Sequence, residues 1–238
     1  MKIKIVSIIC KLSVFIFLVL LVSCTPIEEK STFSDDNKFI VANPINLSQI
    51  QRISKFRSCV GHDYSGLNIE KEKETLRSMK HYIEPLPFLI GTDKIQIFAP
   101  FDGKISEIKD SPPGKQIITT SNAARGWKFI FFHVTPASNI KQGVTVRAGE
   151  QLGIASRDIH NFDIGLKHFG IKNQIFDSVF SHMTNPVLDE YKTNGITLNN
   201  IITLKQARDT DPCPVHGTKN GDAMFSVYRE EDFVTIKH

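Results

Sequence analysis

Hydrophobic patterning changes character along the chain. Residues 5–22 are almost continuously apolar, residues 25–43 are mostly polar, and from residue 94 short segments alternate with a period of two. Residues 94–98 (Lys-Ile-Gln-Ile-Phe), 103–108 (Gly-Lys-Ile-Ser-Glu-Ile) and 161–166 (Asn-Phe-Asp-Ile-Gly-Leu) mix apolar and polar positions as short half-buried strands do, and 161–166 puts Phe162, Ile164 and Leu166 on one face. Residues 115–120 are rich in β-branched side chains, and residues 127–134 (Trp-Lys-Phe-Ile-Phe-Phe-His-Val) read as a strand covered on both sides. Residues 144–155 read as two short strands about a turn at Ala148 and Gly149, while Pro112, Pro113 and Gly114 break the preceding pair. Strands this short and this closely spaced predict a mainly β, antiparallel barrel or sandwich. The flanks predict short bracing helices: residues 47–56 with Ser48 as cap, and 203–208. A third, over 184–191, has Asn185 as N-cap, Pro186 at the first helical position and Gly195 past the end.

The apolar start is an export feature rather than part of the fold. Lys2, Lys4 and Lys11 precede or enter a run that ends in Leu21-Val22-Ser23-Cys24. A basic start, an apolar run and small residues at its end describe a signal peptide over 1–23, and an uncleaved membrane anchor is the alternative. The Leu-Val-Ser-Cys sequence resembles the lipobox of bacterial lipoproteins. That resemblance implies cleavage before Cys24, a lipid on Cys24 and attachment of the mature chain to a membrane in the cell envelope. Thr25 after the cysteine would then favour the outer membrane of a Gram-negative cell. Residues 24–45 read as the lipidated cysteine and a polar tether, and residues 46–238 as the folded domain.

Export alters the charge balance. The 238-residue chain carries a formal charge of +4, but three of its 29 basic residues and none of its 25 acids lie in 1–23. The mature chain, with 26 basic and 25 acidic residues, is nearly neutral. No basic stripe interleaved with aromatics remains, so nucleic acid is set aside as a partner.

Four stretches then fall in a telling order: residues 99–108 (Ala-Pro-Phe-Asp-Gly-Lys-Ile-Ser-Glu-Ile), 132–134 (Phe-His-Val), 140–153 (Ile-Lys-Gln-Gly-Val-Thr-Val-Arg-Ala-Gly-Glu-Gln-Leu-Gly) and 161–164 (Asn-Phe-Asp-Ile). The series is similar to the M23 (lysostaphin-like) zinc metallopeptidases, which cut peptidoglycan cross-bridges and show A-x-x-x-G-x-V, Y-x-H-L, G-x-x-V-x-x-G-x-x-I-G and H-x-H-F-E in that order. The resemblance spans residues 59–167. It implies the duplicated hybrid motif of that family, an antiparallel barrel-sandwich hybrid. Biotinyl and lipoyl modules share the hairpin, but no lysine here occupies their modification setting.

The resemblance also implies a zinc site, and here the residues depart from it. The family uses a histidine and an aspartate four residues apart, the second histidine of H-x-H, and two further histidines that handle protons. His133 matches the histidine of Y-x-H-L, and His62 in Gly-His-Asp-Tyr-Ser-Gly is the candidate first ligand. Gly66 stands where the aspartate is expected, which leaves Asp63 as the local acid. Aligning Phe162-Asp163-Ile164 with F-E-V puts Ile159 and Asn161 on the two histidines. His160 is one residue off, on the opposite face of a regular strand, unless a bulge re-aims it or Asp158 substitutes. Two readings follow: a catalytically degenerate binding or regulatory module on peptidoglycan or an envelope protein, or a divergent zinc endopeptidase using His62 and His133. A purely structural adaptor is a third.

With Cys10 in the export segment and Cys24 assigned to lipid, Cys59 and Cys213 remain. An oxidising envelope favours a disulfide between them. Both also sit in Cys-x-x-His, so Cys59, His62, Cys213 and His216 form an alternative structural zinc set. Residues 70–74 (Glu-Lys-Glu-Lys-Glu) read as a solvated face, and Arg77, Lys80, His81 and Tyr82 as a surface segment able to meet an anionic polymer.

Overall fold

The computed structural model describes residues 38–157, 159–169, 174–226 and 229–238; residues 1–23, read from sequence as a signal peptide, Cys24 and Asp158 lie outside them. The domain starts earlier than residue 46. Phe39, Ile40 and Ile45 are buried in the main core, and Phe39 and Ile40 N–H groups donate to the His182 carbonyl. Three apolar side chains among polar neighbours suffice to bring this strip into the fold.

The helix expected over 47–56 is one 3-10 turn, Leu47–Gln49, followed by strand β1 (Ile50–Ser54). Asn46 rather than Ser48 caps the turn, its side-chain oxygen accepting from the Ser48 N–H. Ile50 and Ile53 are fully buried, and β1 is paired on both edges, so tertiary pairing overrides any local helical tendency. After a long irregular segment come β2 (His81–Pro85), β3 (Gln96–Phe98), β4 (Gly103–Asp110), β5 (Lys115–Ser121) and β6 (Trp127–Pro136). Then follow β7 (Thr145–Val146), β8 (Gln151–Ala155), β9 (Phe162–Phe169) and β10 (Gln174–Asp177). Three short helices, α1 (Asn185–Thr193), α2 (Leu198–Ile201) and α3 (Lys205–Thr210), lead to a separate hairpin of β11 (Val215–Lys219) and β12 (Asp222–Phe225), and β13 (Phe233–Thr235) closes the chain. Helix α1 begins one residue earlier than expected from its cap: Thr184 is the N-cap and Asn185 is already helical.

All strand pairs are antiparallel, in the order β13-β1-β2-β9-β6-β5-β4-β7, with β10 on β9 and β3 and β8 joined through β6. The fold is therefore mainly β with short flanking helices. Strand β6 holds it together because it serves two partners on one edge. Trp127 to Phe132 pair with β9, and Val134 to Pro136 pair with β8. Between them His133 adopts φ +56°, and Phe132 and His133 together oppose Gln116, a bulge that lets both Phe131 and Val134 face the core. The segments around Ala148 and Gly149 do not form a hairpin. β7 pairs with β4 and β8 with β3 and β6, and the turn docks through Gly149 N–H to the Ala99 carbonyl and Ala148 N–H to Asp102 Oδ1. Gly149 needs its positive φ of 78° for this turn.

Cys59 and Cys213 are bonded to one another, with Cα atoms 5.2 Å apart and 154 positions between them in sequence. Their sulfurs are thus not free for zinc, and His216 is exposed on β11, so the Cys2His2 set is not assembled. Beside the bridge, the Arg208 guanidinium pairs with buried Asp232 at 2.5 Å, and Asp232 accepts the Cys59 N–H at 2.8 Å. The segment expected at the surface is inside: Arg77, Lys80, His81 and Tyr82 are all buried. Glu74 leaves the solvated run to take bidentate bonds from Arg57 and one from Arg77. A buried carboxylate demands such partners, which is why this patch turned inward.

Two outcomes follow. Replacing both Cys59 and Cys213 by Ser should lower the unfolding free energy by about 2–5 kcal/mol in chemical denaturation. His81 is fully buried, with one ring nitrogen on the Ser54 carbonyl and the other on Ser178 Oγ, and burial lowers its pKa to about 4. Below pH 6.5 the unfolded chain takes up this proton before the folded one. Stability present above pH 6.5 should therefore fall by about 3 kcal/mol as the pH drops to about 4. A His81→Gln variant should lack that part of the slope.

Candidate functional site

On β9, Phe162, Ile164 and Leu166 enter the core, which turns Asp163, Gly165 and Lys167 to the outer face. There Asp163 lies opposite Tyr82 of β2 and Phe132 of β6. The irregular segment before β2 covers this face. Its Tyr64 ring meets Phe132 and Phe176 edge-on at centroid distances of 5.5 and 5.3 Å.

Lys80 fills the middle. Its ammonium is 2.5 Å from Asp163 Oδ2 and 3.2 Å from His62 Nε2. The rings of Tyr64, Tyr82 and Phe132 stand 4.9, 4.8 and 4.7 Å from it, a cage of aromatic faces that suits a cation removed from water. Lys80 is 2% exposed and Asp163 not at all. Burial pulls the Lys80 ammonium down, but the Asp163 carboxylate and the Tyr82 oxygen together more than offset this, and the net shift is upward. His62 moves the other way: burial and then Lys80 lower its pKa, so the ring is neutral near pH 7. Its Nδ1–H donates to the Asp63 carbonyl at 3.0 Å, which leaves the Nε2 lone pair to accept from Lys80. Asp163 Oδ1 is buried without a protein hydrogen-bond partner.

Of the residues expected from sequence to form a zinc centre, only His62 reaches this cluster by its side chain. The Asp63 carboxylate turns away to accept from Ser65 Oγ at 2.5 Å and the Arg77 N–H at 3.3 Å, closing a local turn. At Gly66 the chain presses on Phe176, where an added Cβ would come within 2.4 Å of the ring, so no aspartate fits there. His133 is carried off by its bulge, its Nδ1 lying 3.1 Å from the Ser111 carbonyl and 3.3 Å from that of Pro113. His160 is exposed in the loop between β8 and β9. The expected union of His62, Asp63, His133 and His160 therefore does not form. Among the described residues no group of three or more His, Cys, Asp or Glu side chains is placed to hold a metal. The pair that does converge, His62 and Asp163, has an ammonium ion between its donors, and two cations do not share such a space. These residues do not fit zinc.

Sequence reasoning set Lys80 and Tyr82 on the surface, gave Tyr64 no role, and read Asp163 only as an aligned acid. The available signal was parity: on a regular strand Asp163 would share a face with positions 159 and 161, where the histidines were sought, although β9 begins only at Phe162. Nothing in the spacing marks Lys80 as its partner, because the two lie 83 positions apart.

The pair should behave as a buried ion pair. Lys80→Met or Asp163→Asn alone should each cost about 3–5 kcal/mol in denaturant titrations, since one charge is left stranded. The double variant Lys80→Met/Asp163→Leu should recover most of that loss.

No protein-family profile matches the chain, and no curated protein does. Among solved structures it is similar to a glycyl-glycine endopeptidase LytM from Ruminococcus gnavus at 16% identity, covering 42% of this chain and 43% of that one with a TM-score of 0.35. Csd3 of Helicobacter pylori, in its hexagonal crystal, aligns at 12% identity over 79% of this chain and 45% of that one, with a TM-score of 0.41. Lysostaphin aligns at 16% identity over 71% of this chain and 66% of that one, with a TM-score of 0.34. The chain thus spans less than half the length of the first two.

Proposed function

We propose that this chain is an exported, lipid-anchored envelope protein that keeps an M23-like β-domain, has exchanged the metal centre for an internal ion pair, and binds peptidoglycan or an envelope protein without cutting it. The observation that carries the reading is Lys80: its ammonium occupies the point on which His62 and Asp163 converge. A frame of H-x-H-F-E two residues later adds support. It sets Asn161 and Asp163 on the histidines and Gly165 on the acid, and a shift of two keeps every side chain on the same strand face. In that frame the second histidine of the motif is Asp163, and its partner is a lysine rather than a metal.

The rival reading, a divergent zinc endopeptidase using His62 and His133, needs those two rings on one ion. His133 instead faces the turn between β4 and β5. The lipid anchor rests on the Leu-Val-Ser-Cys sequence, which lies outside the described residues.

Elemental analysis of the purified protein and a muropeptide-release assay on isolated peptidoglycan test the reading together. The expected result is far less than one zinc per chain and no released fragments. Stoichiometric zinc that is lost in His62→Ala, accompanied by released fragments, would overturn it. A Cys24→Ser variant should leave the membrane fraction, and its retention there would count against the lipid anchor.

A further inference from the structure

Residues 42–48, strand β3, the turn at Gly149 and the C-terminal end of α1 surround an open cleft of about 630 Å³ that shares no residue with the Lys80 cluster. Ordinary small-molecule sites hold about 300–1,000 Å³. Strip and strand are held together by the bridge between Ile45 and Ile97 and by the Phe98 N–H, which donates to the Pro44 carbonyl at 2.9 Å. Ile45 is buried beneath the cleft, while Leu47 and Phe98 line it half-buried and leave apolar surface to it.

Its polar groups are fixed before any ligand arrives. Asn43 ties the strip to α1: its side-chain oxygen accepts from the Tyr191 hydroxyl at 2.7 Å and the Ile45 N–H at 3.2 Å, and its amide donates to Glu190 Oε2 at 3.1 Å. Asn46 accepts from the Ser48 N–H and hydroxyl at 3.2 and 2.8 Å and donates to Gln96 Oε1 at 3.2 Å. A side-chain amide has two hydrogens, so each asparagine keeps one donor in hand. Among the described residues nothing donates to Glu190 Oε1, and no cation pairs with Glu190. Asn43 and Glu190 therefore present a donor and an acceptor side by side, held in place by Tyr191. No lysine, arginine or histidine lines the cleft. Glu190 and the partial negative charge at the end of α1 disfavour an anion. A cation would find one carboxylate and no second acid among the lining residues.

We propose that this cleft binds a neutral saccharide, with two neighbouring hydroxyls of one ring engaging Asn43 and Glu190 and the C–H face of the ring lying on Phe98 and Leu47. Each hydroxyl both donates and accepts, so one of the pair accepts from the Asn43 amide while the other donates to Glu190 Oε1, a bond strengthened by the carboxylate charge. Asn46 supplies a donor to a further oxygen of the same ligand. A sugar ring is polar at its edge and apolar on its faces, which is the division the cleft shows between its amides and its Phe98 and Leu47 surface. Because the asparagines are already held, little side-chain ordering is left for binding to bring about. The inference goes beyond the proposed function, since it needs neither the Lys80 cluster nor the lipid anchor.

The test is a titration of the purified, 15N-labelled protein with the neutral disaccharides cellobiose and chitobiose, with anionic glucuronate and with cationic glucosamine, followed by NMR at the assigned amides. The expected result is saturable shifts at Asn43, Asn46, Phe98 and Asn194 with at least one neutral disaccharide, and weaker binding of both charged sugars. Glu190→Ala and Phe98→Leu should each weaken binding about tenfold, while Asp189→Ala, which removes an exposed acid one position away on α1, should leave it unchanged. Glu190 is exposed, so its replacement keeps the test decisive should Phe98→Leu fail to fold. No saturable shift with either disaccharide, tighter binding of a charged sugar, indifference to Glu190→Ala, or an equal loss in Asp189→Ala would each overturn the proposal. Zinc or released fragments in the earlier assays bear on the Lys80 cluster and not on this cleft, so the two readings fail separately.

Discussion

An ammonium ion held away from water needs a counter-charge and a polar lining, and Lys80 imposes that requirement on everything around it. Asp163 must be ionised, so it must come from a strand whose other face is the core; β9 meets this because Phe162 and Ile164 lock its register. His62 must be neutral, which its burial and the adjacent Lys80 ammonium arrange, while its hydrogen bond to the Asp63 carbonyl fixes which ring nitrogen carries the proton. The aromatic rings around the ammonium must be anchored, and they come from three elements: β2, β6 and the covering segment. The ion pair thus fastens an irregular stretch onto a sheet face that would otherwise be open. A pair of this kind is a poor source of net stability, but it specifies one arrangement strongly, because any slip strands a charge.

That explains which parts of the molecule could be read from sequence. The strands from 94 to 166 were readable because alternation is local, and Phe131, Ile164 and Leu166 reveal their faces without reference to distant residues. β1 was misread as helix because its evidence is not local: Ile53 is a strand residue by virtue of Ile83 and Val234 on either side. Phe39 and Ile40 were assigned to a tether for the same reason. The bulge at His133 cost most. A strand histidine at that spacing is expected to project beside its neighbours, and one backbone torsion sends it elsewhere. The disulfide partners were readable by elimination, whereas the Arg57–Glu74–Arg77 cluster was not, since nothing in an acidic-basic run announces which member will be buried.

The sheet's outer surface therefore divides into two electrostatic regimes. Around Asp163 every charge is answered from within the protein. A few residues along β9, at Lys167, charges are answered only by ring faces and a single amide oxygen. The same strand carries both, and its period of two is what keeps Asp163, Gly165 and Lys167 in one row.

The bond between Cys59 and Cys213 has a further meaning for the chain's resistance to cleavage. It makes most of the domain a covalent ring, from which residues before 59 and after 213 extend as two tails. One protease cut anywhere within that ring opens it without releasing a fragment. Only a second cut, or a reductant, can shed one. A chain so closed can be nicked in an exposed loop and still remain a single molecule.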